Sequence, residues 1–415
     1  MENKADVIVI GAGIVGLSTA YYLAKAGRSV IVLEKSDGTD SCSYGNAGFI
    51  SPSHFIPLAS PGIVSKGMRW MLNPESPFYI KPRLNSSLIK WGINFLRSAN
   101  HTHVNNTKRL LADLAILSRE LHLDFAKEEN VAIESPGILM HCTTESSMNH
   151  EKEVGKMAAD LGIKTRTLDL DQINAEYPKI RHSGVGAVHF PIDSYMIPKD
   201  FMTNMIRAVK ELGVKIKLNQ EVNGFETKDG KITKVRTKSG EFEGDEVVLA
   251  TGAFTPILTK LIGNRLLLEA GKGYSVDYYN ESLVPDIAYI LVEARVAVTP
   301  MQKFVRVAGT MELGGINEKI NQRRVAGFLK SVKDYLPDFE YEKMKSLPVW
   351  SGLRPCSPDG LPYVGRDSKY QNLILATGHA MLGFTLGPVT GKLVTQLVMG
   401  EDLSLNIDQL KVNRF

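Results

Sequence analysis

The opening of the chain leaves few architectures available. Asp6–Ile10 is a continuous, largely β-branched run, Gly11-Ala-Gly13-Ile-Val-Gly16 is a glycine-rich turn, and Leu17–Ala26 carries helix formers up to Gly27, a C-terminal cap. Ser29–Leu33 then reads as a second buried strand. Strand, turn, helix and strand in this order make a β-α-β unit, and strands apolar on both faces belong to a parallel sheet covered by helices. At Gly11, Gly13 and Gly16 the backbone is free to approach a pyrophosphate, while the helix start at Ile14 and Val15 offers oriented N–H groups and a positive dipole. Glu34, 23 residues after Gly11 and followed by Lys35, ends the second strand where a carboxylate accepts bonds from ribose hydroxyls. The unit is expected to bind a dinucleotide.

A length of 415 residues predicts two or three domains. With 43% hydrophobic and 23% charged residues the chain is neither disordered nor collagen-like nor a long coiled coil. Forty-nine Lys and Arg against 45 Asp and Glu leave +4, too little for a protein that neutralises nucleic-acid phosphates, though compatible with a small anionic ligand. Cys42, Cys142 and Cys356 follow no metal, redox or disulfide spacing, which points to a reducing compartment. Glu2 and Asp6 stand where a signal peptide needs positive charge, and no run reaches the ~20 apolar residues of a spanning helix. A cytoplasmic protein is expected, with peripheral attachment to the inner face of a membrane left open.

Downstream, Ser51–Pro82 is rich in Pro, Ser and Gly, and its stretch from Phe55 to Leu72, with Ile56, Leu58, Ile63, Met68, Trp70 and Met71, either packs on its own domain or touches a membrane or partner subunit. From Leu84 to Lys127 apolar residues recur every three or four positions (Leu88, Trp91, Phe95, then Leu110, Leu114, Leu117 and Leu121), predicting core-facing helices set apart from the first unit. Phe225–Lys228, Ile232–Thr237 and Glu241–Glu243, separated by Asp229-Gly230 and Ser239-Gly240, read as an antiparallel meander. Val247–Ala250 returns as a buried strand, and Arg295–Thr299 with Phe304–Ala308 reads as a hairpin around Pro300–Lys303. The chain closes with a strand at Leu373–Leu375, a glycine-rich loop at Gly378–Gly387, and a helix Val389–Met399 with Pro388 near its first turn. The first and last segments look like one nucleotide domain split by insertions. His101 and His103 do not share a helix face, so no metal is expected.

Ala250-Thr251-Gly252 resembles the second nucleotide-contacting turn of flavoproteins, which favours FAD over NAD. Several ordered segments together resemble the D-amino acid oxidase superfamily, and within it bacterial D-amino acid dehydrogenases. They are the opening unit, Ser43-Tyr-Gly-Asn-Ala-Gly48, Val248-Leu-Ala-Thr-Gly-Ala253, Trp350-Ser-Gly-Leu-Arg-Pro-Cys-Ser-Pro-Asp-Gly360, and Asn372-Leu-Ile-Leu-Ala-Thr-Gly-His-Ala-Met-Leu-Gly-Phe-Thr385. The resemblance implies an α/β fold with α+β insertions, a Rossmann-like FAD-binding domain interleaved with an antiparallel-sheet substrate domain. The FAD-binding part is expected over residues 1–82, 146–180, 196–262 and 346–415, and the substrate part over 83–145, 181–195 and 263–345. The resemblance further implies that Asn46, Ala47 and Gly48 lie along the flavin, that Gly378, His379, Leu382, Gly383, Phe384 and Thr385 close over its pyrimidine end, and that Val222 lies at the strand holding the adenosine. Thr251 and Gly252 complete the cofactor set.

In Gly-Leu-Arg-Pro the family arginine binds the substrate carboxylate, which assigns that role to Arg354, whose guanidinium fork matches a carboxylate bidentately. The alternative is an arginine paired with Asp359. Tyr274 is a candidate second contact through its hydroxyl, or else packing. The implied reaction is FAD-dependent oxidative deamination of a D-amino acid, giving an imino acid and then a keto acid. Phe384 and Gly387-Pro388 depart from typical D-amino acid dehydrogenases, which keeps D-proline, 4-hydroxy-D-proline, glycine and sarcosine as candidate substrates. Cys356 does not match the offset of covalent attachment, so noncovalent FAD is expected. No lysine stands in Val305–Gly309, which favours transfer of electrons to quinone or another carrier over oxygen. A noncatalytic FAD-binding subunit is the competing class.

Overall fold

The computed structural model describes residues 3–39, 41–63, 67, 73–83 and 85–415. The opening strand Lys4–Ile10 pairs in parallel with Val30–Leu33 on one side and with the end of Gly240–Leu249 on the other. Lys215–Lys217 and Leu373–Thr377 extend the parallel set outward. Alternation along the strands then splits the core. Val7, Val9, Val30 and Val32 pack against helices Ile14–Lys25, His101–Glu129, Pro198–Glu211 and Gly383–Met399. Ile8, Ile10, Ile31 and Leu33 face instead the meander residues Val222, Ile232, Val235 and Phe242, with Leu258 and Ile262 of the short helix Thr255–Leu261. The expected helical cover is thus present on one face, and an antiparallel meander with a short helix covers the other.

The meander is tighter than its sequence pattern suggests. Its last strand runs unbroken from Gly240 to Leu249, starting antiparallel to Lys231–Thr237 and finishing parallel to the opening strand, so Glu241–Glu243 and Val247–Ala250 belong to one element. Asp229 and Gly230 both have positive φ, as a two-residue hairpin turn requires.

The second sheet has nine strands among the described residues, in the order Val349–Cys356, Glu269–Tyr278, Phe304–Leu313, Val296–Met301, Ala288–Leu291, Ile138–Cys142, Gly186–Phe190 and Arg166–Asp169, with Phe78–Ile80 beside Phe304–Leu313. It is antiparallel apart from two parallel pairs. Arg166–Asp169 and Val349–Cys356 join this sheet although the sequence division puts both stretches in the cofactor segments. The helix His101–Glu129 departs from that division in the other sense. Ser118 Oγ accepts from Val389 N–H at 3.2 Å, and His122 Nε2 lies 3.0 Å from Phe384 O, so the helix packs on the nucleotide half rather than apart from it.

That last contact has a local cause. The closing helix begins at Gly383, six residues before Val389, which puts Pro388 inside it rather than near its first turn. Proline has no N–H for the carbonyl four residues earlier, and His122 takes up that orphaned carbonyl of Phe384. Gly387 and Gly391 face the opening helix so closely that a Cβ would sit 2.7 Å from Ile14 Cγ1 and 2.5 Å from Ser18 C. The departure at Gly387-Pro388 is therefore a matter of helix packing.

Candidate active site

A cavity of about 650 Å³ runs from the glycine turn to the second sheet. Its wall takes in Gly11, Gly13, Ile14 and Val15 from the opening turn, Glu34 and Lys35 from the end of the second strand, and Asn46 and Ala47. Val222, Thr251 and Gly252 border it, as do His379, Leu382, Gly383, Phe384 and Thr385 at the start of the closing helix, and Tyr274 and Arg354 on the second sheet. Gly16, Gly48 and Gly378 lie behind the wall, for steric reasons. A Cβ on Gly16 would meet Gly11 O at 1.9 Å, one on Gly48 would meet Met196 O at 2.1 Å, and one on Gly378 would meet the Tyr363 ring at 2.9 Å. These three set the close approaches that shape the turns.

The nucleotide end is braced from within. Gly11 has φ +105°, and a Cβ there would lie 2.6 Å from Ala250 O, so the two nucleotide-contacting turns touch only because this residue is glycine. Ala12 N–H donates to Glu34 Oε2 at 2.8 Å, and Ser43 Oγ accepts from Ile14 N–H at 2.9 Å. Lys35 Nζ sits 3.6 Å from the centroid of the Phe254 ring. His379 is buried and bonded through Nε2 to Thr390 Oγ1 at 2.9 Å; burial pushes its imidazole down to about 4. It braces the loop as a neutral ring.

Residues 44–46 are held from the second sheet by side chains that the sequence reading missed. Arg306 grips Asp277 with two bonds of 2.7 and 2.8 Å, and its remaining Nη1 donates to Tyr44 O and Asn46 O, both at 3.0 Å. Ser275 Oγ donates to the intervening Gly45 O at 2.8 Å. The Trp350 ring presses on Gly45, where a Cβ would lie 2.2 Å away. The available signal was an arginine among β-branched residues in Val305-Arg-Val, which in a buried strand demands an acid on the neighbouring strand.

Arg354 extends from Val349–Cys356 across Gly273, where a Cβ would meet Nη1 at 2.1 Å. Its Nη1 donates to Thr310 O at 2.7 Å. Thr310 has φ +71° at a bulge where the register between Glu269–Tyr278 and Phe304–Leu313 shifts past Gly273, and this turns its carbonyl to the guanidinium. No carboxylate forms an ion pair with Arg354 among the described residues; Asp359, the alternative partner, is gripped by Arg414 at 2.7 and 3.0 Å. Burial lowers the pKa of Arg354, yet a guanidinium stays charged at neutral pH.

Tyr274 borders the same cavity as Arg354 but turns its hydroxyl away from it. Alternation puts Gly271, Gly273 and Ser275 on the face of Arg354 and Trp350, and Tyr274 on the opposite face with Val276 and Phe328. Its hydroxyl donates to Glu312 Oε2 at 3.2 Å and accepts from Asn321 N–H at 3.1 Å, and burial pushes it up to about 12. The tyrosine is thereby a core residue of the sheet. Of the histidines set aside for a metal, His103 is engaged through Nε2 with Asp359 O at 2.8 Å. In the Phe55–Leu72 stretch, Phe55 is fully buried and Ile56, Leu58 and Ile63 border the cavity, while 64–66 and 68–72, with Met68, Trp70 and Met71, lie outside the described residues.

Comparison with known proteins agrees with this geometry. The profile of the family described as "DAO: FAD dependent oxidoreductase" matches residues 6–397. The chain is 31% identical over 417 residues to a D-amino acid dehydrogenase of Granulibacter bethesdensis, and 33% identical over 414 residues to one of Helicobacter pylori, with 99% of each chain covered in both cases. Among solved structures it is similar to glycine oxidase from Geobacillus kaustophilus (TM-score 0.80, 21% identity, 100% of this chain and 99% of that one). It is also similar to L-proline dehydrogenase from P. horikoshii (TM-score 0.75, 19% identity, 100% and 98%). A match over residues 6–397, nearly the whole chain, assigns it to the DAO family of FAD-dependent oxidoreductases.

Proposed function

We propose that the protein oxidises a D-amino acid at Cα, with Arg354 as the anchor for the substrate carboxylate and FAD held noncovalently along the cavity. The observation that carries this reading is an arginine in the cavity wall whose protein partner is a carbonyl, with no acid paired to it among the described residues. A charge so placed calls for an anion from a ligand, and a carboxylate fits its fork. Gly11, Gly13, Glu34 and Val222 suit the adenosine and pyrophosphate, because glycine at position 11 lets the two nucleotide turns meet and both glycines present bare backbone to the cavity. Asn46 and Ala47 from one side and Gly383 to Thr385 from the other suit the ring system, the latter with the N-terminal dipole of a 17-residue helix. When bound, FAD supplies the two-electron acceptor for the hydride.

In this reading the first sheet is the cofactor half and the second the substrate half. Arg354 orients the substrate so that its α-hydrogen can leave, and the resulting C=N bond is hydrolysed by water to a keto acid and ammonia. The relatives named D-amino acid dehydrogenase support a D-amino acid over glycine or sarcosine. Cys356 is buried with its thiol pushed up to about 12, which supports noncovalent FAD. Val305–Gly309 holds no lysine, and its Arg306 is fully engaged with Asp277 and the 44–46 turn, which supports quinone or another carrier as acceptor. A peripheral contact with a membrane is supported by the helix Ser86–Ser98, described below. Anaerobic mixing of the FAD-loaded wild type and of Arg354→Ala with D-amino acids tests the anchor, since the variant should keep its yellow cofactor and lose rapid bleaching.

A further inference from the structure

The chemistry just described leaves one cavity-wall histidine unused. His54 is half-buried and lies on a segment that starts beside the closing helix, with Ser51 N–H 3.3 Å from Thr385 Oγ1, and reaches Leu58, packed near Met311 and Cys356. Its Nδ1 is 3.0 Å from Ser53 Oγ. Ser53 in turn grips Asp193 twice, its N–H donating to Oδ1 at 3.0 Å and its hydroxyl to Oδ2. A serine hydroxyl has one hydrogen, and here Asp193 receives it. Nδ1 of His54 is therefore the donor to Ser53, which fixes the neutral tautomer with the lone pair on Nε2. Nε2 has no hydrogen-bond partner among the described residues, and the ring borders the cavity.

Asp193 is fully buried on the turn between Gly186–Phe190 and Ser194–Tyr195. The charged groups facing the three residues are Arg295, on the turn before Val296–Met301, and Arg119, on the helix His101–Glu129 and bonded to Ser194 Oγ at 3.2 Å. An amino acid reaches the site as a zwitterion, whereas loss of hydride from Cα needs the nitrogen lone pair to form the C=N bond. We propose that His54, Ser53 and Asp193 form a proton relay in which His54 Nε2 takes a proton from the substrate ammonium, the Nδ1 proton passes to Ser53 Oγ, and the Ser53 hydroxyl proton passes to Asp193 Oδ2. One N–H bond of the ammonium breaks and one O–H bond on Asp193 forms. His54 is left as the other neutral tautomer, Ser53 is unchanged, and no electrons move. Arg119 favours the starting state with Asp193 ionised, and Arg295 disfavours a cationic His54 ring, so the proton passes through rather than resting there. Burial holds Asp193 up to about 7 and His54 down to about 4, which keeps the ring neutral and the carboxylate able to take a proton near neutrality.

The relay rests on the amino acid reading above, and its test separates the two. Anaerobic stopped-flow of the holoenzyme gives the rate constant of cofactor bleaching against pH for wild type, His54→Asn and Asp193→Asn. In the wild type the rate should rise to a plateau above about pH 7 as Asp193 ionises. His54→Asn should be slowed roughly 100-fold at pH 7 and approach the wild-type rate in alkali, where the substrate amine loses its proton unaided. His54 is half-buried, so this variant keeps the test open if Asp193→Asn fails to fold. Infrared difference spectra on adding a D-amino acid should reveal a new protonated carboxyl band in the wild type that is missing in both variants. A wild-type enzyme that is bleached while His54→Asn matches it at every pH, or is slowed equally at every pH, overturns the relay alone. Failure of every amino acid to bleach the wild type overturns both.

Discussion

A guanidinium in a cavity wall needs an anion, from its own chain or from a ligand, and Arg354 has none of its own among the described residues. Replacing it with Ala should lower kcat/KM by roughly 30- to 1000-fold, about 2 to 4 kcal/mol of transition-state binding, and Arg354→Lys should recover little because an ammonium cannot form the fork. Steady-state kinetics on protein matched for FAD content checks this, and near-wild-type efficiency of Arg354→Ala would remove the assignment. Gly273→Ala is a gentler probe of the same contact. Its methyl would stand where Nη1 now lies, so KM should rise by roughly tenfold or more while the FAD absorbance stays unchanged. A KM equal to that of the wild type would mean that the guanidinium has room to shift without cost. Tyr274 marks the limit of reading single residues from sequence. Gly-Lys-Gly-Tyr-Ser offers a hydroxyl to a substrate, but only the parity fixed by Gly271 and Gly273 against Arg354 reveals that this hydroxyl turns away, to Glu312 and Asn321.

At the scale of elements, what was legible depended on how local the cause is. The β-α-β unit was plain because its glycines act on neighbours within a few residues, and the Asp229-Gly230 turn for the same reason. The stripe Leu110, Leu114, Leu117, Leu121 announces a buried face but not its partner, and that partner is the closing helix, held there by the carbonyl that Pro388 frees. The bulge at Thr310 has no sequence signature, since threonine is not a residue that favours positive φ. The helix Ser86–Ser98 keeps Trp91 buried, with its Nε1–H donating to Cys356 O at 2.9 Å, yet leaves Ile89, Ile93 and Leu96 at 56%, 45% and 57% exposure, one ridge flanked by Lys90 and Arg97. Across residues 41–112 the sequence holds eight Lys and Arg and one acid, in a chain otherwise balanced. An apolar ridge in a basic stretch suits an anionic lipid surface. Co-sedimentation with vesicles of phosphatidylglycerol should fall when Ile89 and Ile93 are changed to Ser, and equal binding of the variant would exclude this ridge as the contact.

For the whole molecule, the two sheets meet at one cavity, and the joint is polar: Arg306 and Ser275 of the second sheet hold three successive carbonyls of the 44–46 turn. Both halves also bury neutral histidines. His54, His122, His141, His182 and His379 are all pushed down to about 4 by burial. Their folded pKa lies below the unfolded value near 6.5, so the unfolded chain binds more protons between the two, and stability falls as pH drops from about 6.5 towards 4. Asp193, raised to about 7, works in the opposite sense, one group against five. Tm measured from pH 7.5 to 5 should therefore decline, and a flat profile would mean that these rings are solvated. Above all, the account holds that one chain, loaded with FAD, takes hydride from a D-amino acid. Anaerobic mixing with D-alanine, D-proline, 4-hydroxy-D-proline, sarcosine and the L-enantiomers, followed at the flavin band, tests it most directly. Bleaching by a D-amino acid but not by its L-enantiomer is the expected result; a fully FAD-loaded protein that none of these compounds bleaches, or that only an L-enantiomer bleaches, would contradict it.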